Sequence, residues 1–396
     1  MFRIEYHQKT VIKLLFFLAY ASAAVWLTFF YVYLKDGAGL SGFEIGIIAG
    51  FQQFNNIFVL PVWGILADRY GRKRMLIFSI GATILLLPVF MFLEGAAAIT
   101  LFMIMVTFAY NPLASLIDTI GLDYQEQTNG KTTYGEIRLW ASVGWGVSSF
   151  VAGYFIHSEN LYLIFPVASL MFLITWVVLF SFYKPLTVKR NLNEMNKGII
   201  WEILKSEKVL QAFFFLVFLY SMFSAPIYLI LNVYFLEIGA STQMLGLAFL
   251  VQGICEIPFF FFGKKIVDRF GSKNVFLFAM IATALRMLAY GLNNSPGVAV
   301  GIGMVHGISI GLFFVSVISF VHRIIPPEYR TTGQSLFYTF FAVGVAFGNI
   351  ITGVMMDYYS MKMTMILNAF GIIFLVVMVI VTKKHFRKIL QTVGPN

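Results

Sequence analysis

The chain has 396 residues, 59% of them hydrophobic and only 12% charged, against about a quarter charged in soluble domains. With a mean hydropathy of +0.84 this excludes a soluble globular domain, and the single cysteine, Cys255, excludes an intramolecular disulfide and a cysteine-built metal cluster. The formal net charge of +10 would suit a nucleic-acid binder, but the basic residues lie between apolar runs, where they set membrane topology and contact anionic lipid.

Residues 1–10 carry Arg3 and Lys9 and read as a short lead-in. Apolar runs of about 20 residues, enough to cross a hydrocarbon core of ~30 Å, follow at 11–34, 42–66, 75–93, 98–120, 137–156, 161–182, 209–235, 243–266, 275–292, 297–322, 334–356 and 362–382. They are too long for barrel strands and lack strand alternation. The first has no small-residue cleavage site after it and reads as a retained helix. The expected fold is therefore an all-α membrane protein with twelve transmembrane helices in two six-helix bundles. Lys and Arg cluster at residues 3–13, 69–74, Lys131, 184–208, 264–273, Arg323, Arg330 and 383–388, whereas the other side has only Lys35 and Lys362. The positive-inside rule then places both termini in the cytoplasm and the protein in the plasma membrane.

The second run holds Gln52, Gln53, Asn55 and Asn56 at mid-membrane depth. Such amides either face a cavity or hydrogen-bond neighbouring helices. After this run comes Asp68-Arg69-Tyr-Gly71-Arg72-Lys73, and Asp268-Arg269-Phe-Gly271-Ser-Lys273 repeats its Asp, Arg, aromatic, Gly and Lys 200 residues later. The same offset carries Gly144 onto Gly344 and Gly153 onto Gly353. The chain is thus read as two similar halves, 1–183 and 209–396, joined by a charged cytoplasmic linker at 184–208. No phosphate-binding loop appears, so transport driven by a gradient is expected, with no cofactor.

Ionisable residues inside the runs are few: Asp118, Arg138, Glu256, Arg286 and His306. Each is costly in a membrane and marks a pathway, a relay or a pair. At ~1.5 Å per residue, Glu256 and Arg286 fall near the midplane, and Asp118 and Arg138 match each other in depth nearer the cytoplasm. Two acid–arginine pairs, one per half, would frame a central cavity, and Gln252 lies one turn before Glu256 on the same face.

The charged loop resembles the signature of the major facilitator superfamily, for which a monomer is the default and paired loops imply one hinge per half (Asp68, Arg69, Gly71 and Arg72; Asp268, Arg269 and Gly271). Tyr134-Gly-Glu-Ile-Arg138-Leu-Trp-Ala-Ser-Val-Gly-Trp145 resembles the fifth-helix motif of the lactose permease family. That resemblance implies that Arg138 donates hydrogen bonds to substrate and that Trp145 offers a stacking platform; Asp118, Gln252 and Arg286 join them as expected substrate contacts. Residues 284–287 and 304–307 resemble the same family's ninth-helix Arg and tenth-helix His, which belong to its proton-coupling network, whereas Asp118 and Glu256 stand about one turn from the family's acids. From the residues themselves, Glu256 is the expected carrier of the coupling proton, because burial favours the protonated carboxyl and a nearby Arg286 the ionised one, with His306 expected to share that proton. The sequence departs from that pattern at Ser115, Gly303 and Ser309, where the family carries an acid, a lysine and an acid. Residues 140–145, 256–262 and 306–312 resemble a phenylpropionate-permease-like branch, which weakens a commitment to sugar. Structural readings stay open for each: Arg138 as partner of Asp118, Trp145 as packing, Glu256–Arg286 as a static pair and His306 as a hydrogen-bonding neighbour. The expected function is proton-coupled uptake of a small polar solute such as a sugar, nucleoside or aromatic acid. Efflux of amphipathic compounds and a non-transporting sensor are the alternatives; an enzyme would need a nucleophile and base, or a metal set, and the sequence shows neither.

Overall fold

A backbone crossing hydrocarbon has no water to bond, so each apolar run must satisfy its N–H and C=O groups internally, and it does so as a helix. The computed structural model describes residues 2–128, 132–185, 208–325 and 330–381. The membrane helices, numbered here by span, are α1 (Phe2–Val32, continued by a π turn at Tyr33–Gly37), α2 (Gly42–Tyr70), α3 (Arg72–Leu86, tightened at Leu87–Phe92), α4 (Ala96–Tyr110 and Pro112–Gln127), α5 (Tyr134–Phe155), α6 (Ile164–Phe182), α7 (Lys208–Leu229, resuming at Leu231–Glu237), α8 (Thr242–Phe270), α9 (Ser272–Leu292), α10 (Pro296–Ile302 to Leu312–Ile324), α11 (Arg330–Tyr358) and α12 (Met361–Val381). Among the described residues, eleven helices are long and apolar enough to cross a membrane. α5 stands outside that set because Glu136, Arg138 and several Gly and Ser dilute its apolar content. The linker run 186–207, Lys131 and the basic cluster 383–388 lie outside the described residues.

The repeat seen in sequence reappears as geometry. α2 ends and α3 begins around Gly71 at φ 90° and ψ 138°, and α8 passes to α9 around Gly271 at φ 80° and ψ 140°. Only glycine adopts this left-handed region without strain. Arg69 lies 5.3 Å over the Tyr70 ring and Arg269 lies 5.3 Å over Phe270. Both turns carry their aspartates, Asp68 and Asp268, exposed.

Small residues let the helices approach closely. Within the halves, Gly144 of α5 packs on the Phe17 backbone of α1, and Gly344 of α11 on the Phe218 backbone of α7. Between the halves, Gly153 of α5 meets Thr242 of α8, and Gly353 of α11 meets Gly42 of α2, contacts related by the same 200-residue shift. Gly46 and Gly246 extend the two crossings onto Asn349 and Ser149. The contacts between the halves lie at the end of the molecule opposite the Gly71 and Gly271 turns, since Gly42 and Thr242 open the helices that close on those turns. Toward the turns, Gly64 and Gly135 face open space, so the halves are sealed at one end and parted at the other.

Polar bonds reinforce the seal. The Asp357 carboxylate accepts from the N–H groups of Gly42 and Phe43 at 2.6 and 2.8 Å. Across the α5–α8 crossing the Thr242 hydroxyl donates to Gly153 O at 2.9 Å, and between α7 and α1 Asn232 donates to Thr28 O at 2.7 Å.

Candidate functional site

Immediately past the seal lies a cavity of about 240 Å³. α5 gives it Arg138, Ala141, Ser142 and Trp145, and α8 gives Phe249, Gln252, Gly253 and Glu256. In each helix the positions are i, i+3, i+4 and i+7, which is one face. Tyr20 of α1 and His306 of α10 complete the lining. Sequence reasoning singled out Arg138, Trp145, Gln252, Glu256 and His306; it missed Tyr20, Ser142 and Phe249 as cavity residues. The signal available for Ser142 and Phe249 was their helical spacing from Arg138 and Gln252.

On the first half, Arg138 Nε stands 3.7 Å from Asp118 Oδ1, and its guanidinium lies 4.5 Å over the Tyr20 ring. Asp118 is behind the cavity wall, not in it. On the second half, Arg286 is 1% exposed and also sits behind the wall. It donates through one terminal nitrogen to His306 Nδ1 at 2.9 Å and to Ser309 Oγ at 3.4 Å, and through the other to Gln252 Oε1 at 3.0 Å. His306 Nε2 then approaches Glu256 Oε1 at 3.5 Å.

This differs from the direct Glu256–Arg286 pair expected from depth alone, because His306 stands between the two. The reason is local: α10 tightens to a 3₁₀ turn at Gly303–Val305 and widens to a π turn at Gly307–Gly311, and His306 sits at the junction. Such irregular turns re-aim side chains. An arginine only donates, so His306 Nδ1 must accept and its proton resides on Nε2, directed at Glu256.

The mid-membrane amides of α2 are engaged with neighbours. Asn55 donates to Thr107 Oγ1 at 2.7 Å, Asn111 donates to Asn56 at 2.5 Å, and Tyr31 donates to Gln52 at 3.2 Å. They tie α2 to α1 and α4. At the first turn, Arg72 pairs with Asp123, which is 2% exposed, and Lys73 donates to the carbonyls of Phe180 and Tyr183 at 3.0 and 2.6 Å. Asp68 makes no ion pair among the described residues, and Arg72 turns to α4.

A profile of the MFS_1 like family matches residues 9–383. The chain belongs to the MFS_1 like family. Family membership makes it a multi-pass membrane transporter and not an enzyme. Among curated proteins, an uncharacterized transporter YwbF of Bacillus subtilis (strain 168) is 27% identical over 86% of this chain and 84% of its own. A maltose permease of Geobacillus stearothermophilus is 26% identical over 83% of each chain. Among solved structures, the nucleoside transporter NupG superposes with a TM-score of 0.82 at 19% identity, covering 94% of this chain and 98% of its own. The MFS_1 like fold thus has two pseudosymmetric six-helix bundles, α1–α6 and α7–α12, with the cavity between them.

Proposed function

We propose that this MFS_1 like transporter takes up a small neutral solute rich in hydroxyl groups, a sugar or a nucleoside, together with a proton. One observation carries the reading: α5 of the first half and α8 of the second present facing polar walls, Arg138 and Trp145 against Gln252, Glu256 and His306, around one cavity. A solute bridging those walls couples the halves. The maltose permease and NupG are named for a sugar and for nucleosides, and both solutes present hydroxyls and a flat or ring-shaped apolar face. Two arginines, Arg138 and Arg286, are matched by Asp118 and Glu256 with His306 neutral, so the site carries no net charge. The volume sits below the ~300–1,000 Å³ range of drug-sized pockets, which favours a compact solute.

In this reading residues 1–183 rock against residues 209–396 about the midplane site, the linker at 184–208 tethers them, and the Asp68–Arg72 and Asp268–Gly271 turns are the paired hinges. The basic end is cytoplasmic, with both termini there, and the conformation described is inward-facing in the plasma membrane. The protein works as a monomer in lipid. Glu256 carries the proton. While ionised it accepts from His306 Nε2; once protonated it turns its hydroxyl to the solute, which accepts a bond only in the loaded state. His306, held by Arg286, orients that carboxylate rather than carrying the proton itself, and Arg286 acts through His306 and Gln252.

The test is solute-driven proton movement into proteoliposomes over a panel of maltose, sucrose, melibiose, uridine and xanthosine. One panel solute should alkalinise the outside in wild type. Glu256→Gln should retain solute exchange at equal pH but lose accumulation against a gradient. Accumulation by Glu256→Gln equal to wild type would refute the coupling role, and absence of movement of every panel member would refute the solute class.

A further inference from the structure

Arg138 faces the cavity, yet the acid expected to fix it does not. Asp118 reaches only Nε, at 3.7 Å, which is beyond hydrogen-bond length, and Asp118 Oδ1 is buried without a hydrogen-bond partner. A single long contact to Nε leaves the guanidinium plane free to rotate. The guanidinium lies over the Tyr20 ring, its carbon 4.5 Å from the ring centroid and well inside the ~6 Å reach of a cation–π contact.

We infer that Tyr20 is a positioning residue that holds the Arg138 fork flat and turns its two terminal nitrogens into the cavity, where they recognise a pair of neighbouring acceptor oxygens on the solute. This rests on the proposed uptake of a hydroxyl-rich solute. Tyr134 and, across the cavity, Glu256 also lie within electrostatic reach of Arg138, but among the described residues its terminal N–H groups make no hydrogen bond to a protein acceptor. Two parallel donors in a fixed plane match two adjacent oxygens, as on a vicinal diol.

The repeat supplies an internal control. Position 220 is also tyrosine, but position 338, equivalent to Arg138, is Tyr338. There Tyr220 stacks 4.6 Å from Phe313 and its hydroxyl bonds Thr283 at 2.8 Å, an ordinary packing residue. Tyr20, in contrast, makes no hydrogen bond through its hydroxyl among the described residues, so the ring face is the functional part. A tyrosine common to both halves supports a cation only where the second half of the pair is an arginine.

The experiment has one arm without solute. Purified full-length protein is treated with phenylglyoxal, which attacks the terminal guanidinium nitrogens, and modification of Arg138 is timed by peptide mass spectrometry. Tyr20→Phe should modify at the wild-type rate. In Tyr20→Leu the fork should collapse onto Asp118 and modify severalfold more slowly, and adding Asp118→Asn should restore the rate. In the second arm, uptake of the panel solute moved by wild type should show KM raised roughly 2- to 30-fold in Tyr20→Leu, the range of a cation–π contact, with maximal rate kept and Tyr20→Phe rescued. Wild-type modification of Tyr20→Leu would overturn the positioning role; slowed modification with unchanged KM would overturn the acceptor-pair recognition. Because the chemical arm needs no transported solute, it decides even if the whole panel is inert.

Discussion

Removing the Asp357 carboxylate should tip the transporter toward opening at its sealed end. The first turn of α2 has orphan N–H groups like any helix. Ser41 and Glu44 satisfy the local ones through a capping box, with Glu44 accepting from Ser41 N at 2.9 Å. Gly42 N and Phe43 N instead go to Asp357, one carboxylate oxygen each, at 2.6 and 2.8 Å across the two halves. These bonds exist only while α2 and α11 are closed. A carboxylate at a helix N-terminus contributes ~0.3–1 kcal/mol at an exposed site, and each net hydrogen bond about 1 kcal/mol. Asp357 is exposed, so solvent screening brings the sum to about 1–2 kcal/mol. That corresponds to a roughly 5- to 30-fold shift in the open–closed equilibrium. The assay places one cysteine at Ala346, 4% exposed beside the Gly50 crossing, in a Cys255→Ser background. A membrane-impermeant maleimide is added from the sealed side. Asp357→Ala should label about 5- to 30-fold faster than wild type, Asp357→Asn less so, and high salt should narrow the gap. Equal labelling of Asp357→Ala and wild type would refute the latch.

The same labelling reports on the glycine crossings: Gly353→Ala drives a methyl into the Gly42 carbonyl and should speed labelling, whereas Gly64→Ala, whose methyl meets open space, should not. Asn55→Ala removes the bonds to Thr107 and Ile104 and should lower stability by ~0.6–1.7 kcal/mol, read as a fall in thermal midpoint in detergent, with uptake KM unchanged. Arg72→Ala takes the arginine from buried Asp123 and should cost about 3 kcal/mol, with Asp123→Asn recovering part of the midpoint; an undiminished midpoint in Arg72→Ala would show that the pair is not structural.

The fold was legible because membrane insertion depends on length and hydropathy, and both are one-dimensional. What hydropathy could not show were features inside or beyond the apolar runs. The fourth run was expected at 98–120, but α4 continues to Gln127, since its last turns are amphipathic and bury Asp123 and Tyr124. The seventh run read as continuous across 209–235, yet the helix breaks near Ile230, at φ −103° and ψ −7°. The repeat was legible to the level of single contacts, because a glycine that must admit another backbone has no substitute. At the site, sequence gives depth along a helix but not rotation about it or irregular turns. Glu256 and Arg286 match in depth, and only the 3₁₀-to-π passage of α10 decides that His306 comes between them. Tyr20 and Phe249 were illegible for another reason: in a chain with 17% aromatic residues, a ring facing a cavity and a ring facing a neighbour look alike.

The repeat also explains why a nearly symmetric scaffold can hold one polar site. Shifted by 200 residues, Gln252 falls on Gln52, Glu256 on Asn56, Arg286 on Leu86 and His306 on Val106. The ionisable groups at 256, 286 and 306 thus have no ionisable counterpart one repeat earlier. The counterpart of Glu256, Asn56, is fixed to Asn111 at 2.5 Å and cannot change charge, so the first half's α2 is held statically to α4. In the other direction Arg138 and Trp145 fall on Tyr338 and Val345, which removes the donor and the indole from the second half. The two losses are complementary. In the proposed reading, recognition through α5 and charge change through α8 are left on opposite walls of one cavity, and the α5–α8 crossing at Gly153 and Gly246 brings those walls together. The α2–α11 crossing, built from the equivalent glycines one repeat away, is bridged by the Asp357 carboxylate. Moving the acid across the repeat is therefore an informative exchange: Glu256→Asn with Asn56→Glu should fold, because both positions are helical and partly buried, yet fail to accumulate any panel solute, since neither Arg286 nor His306 has a counterpart beside position 56. Accumulation by that double variant at the wild-type level would show that the acid's neighbours on α9 and α10 are dispensable.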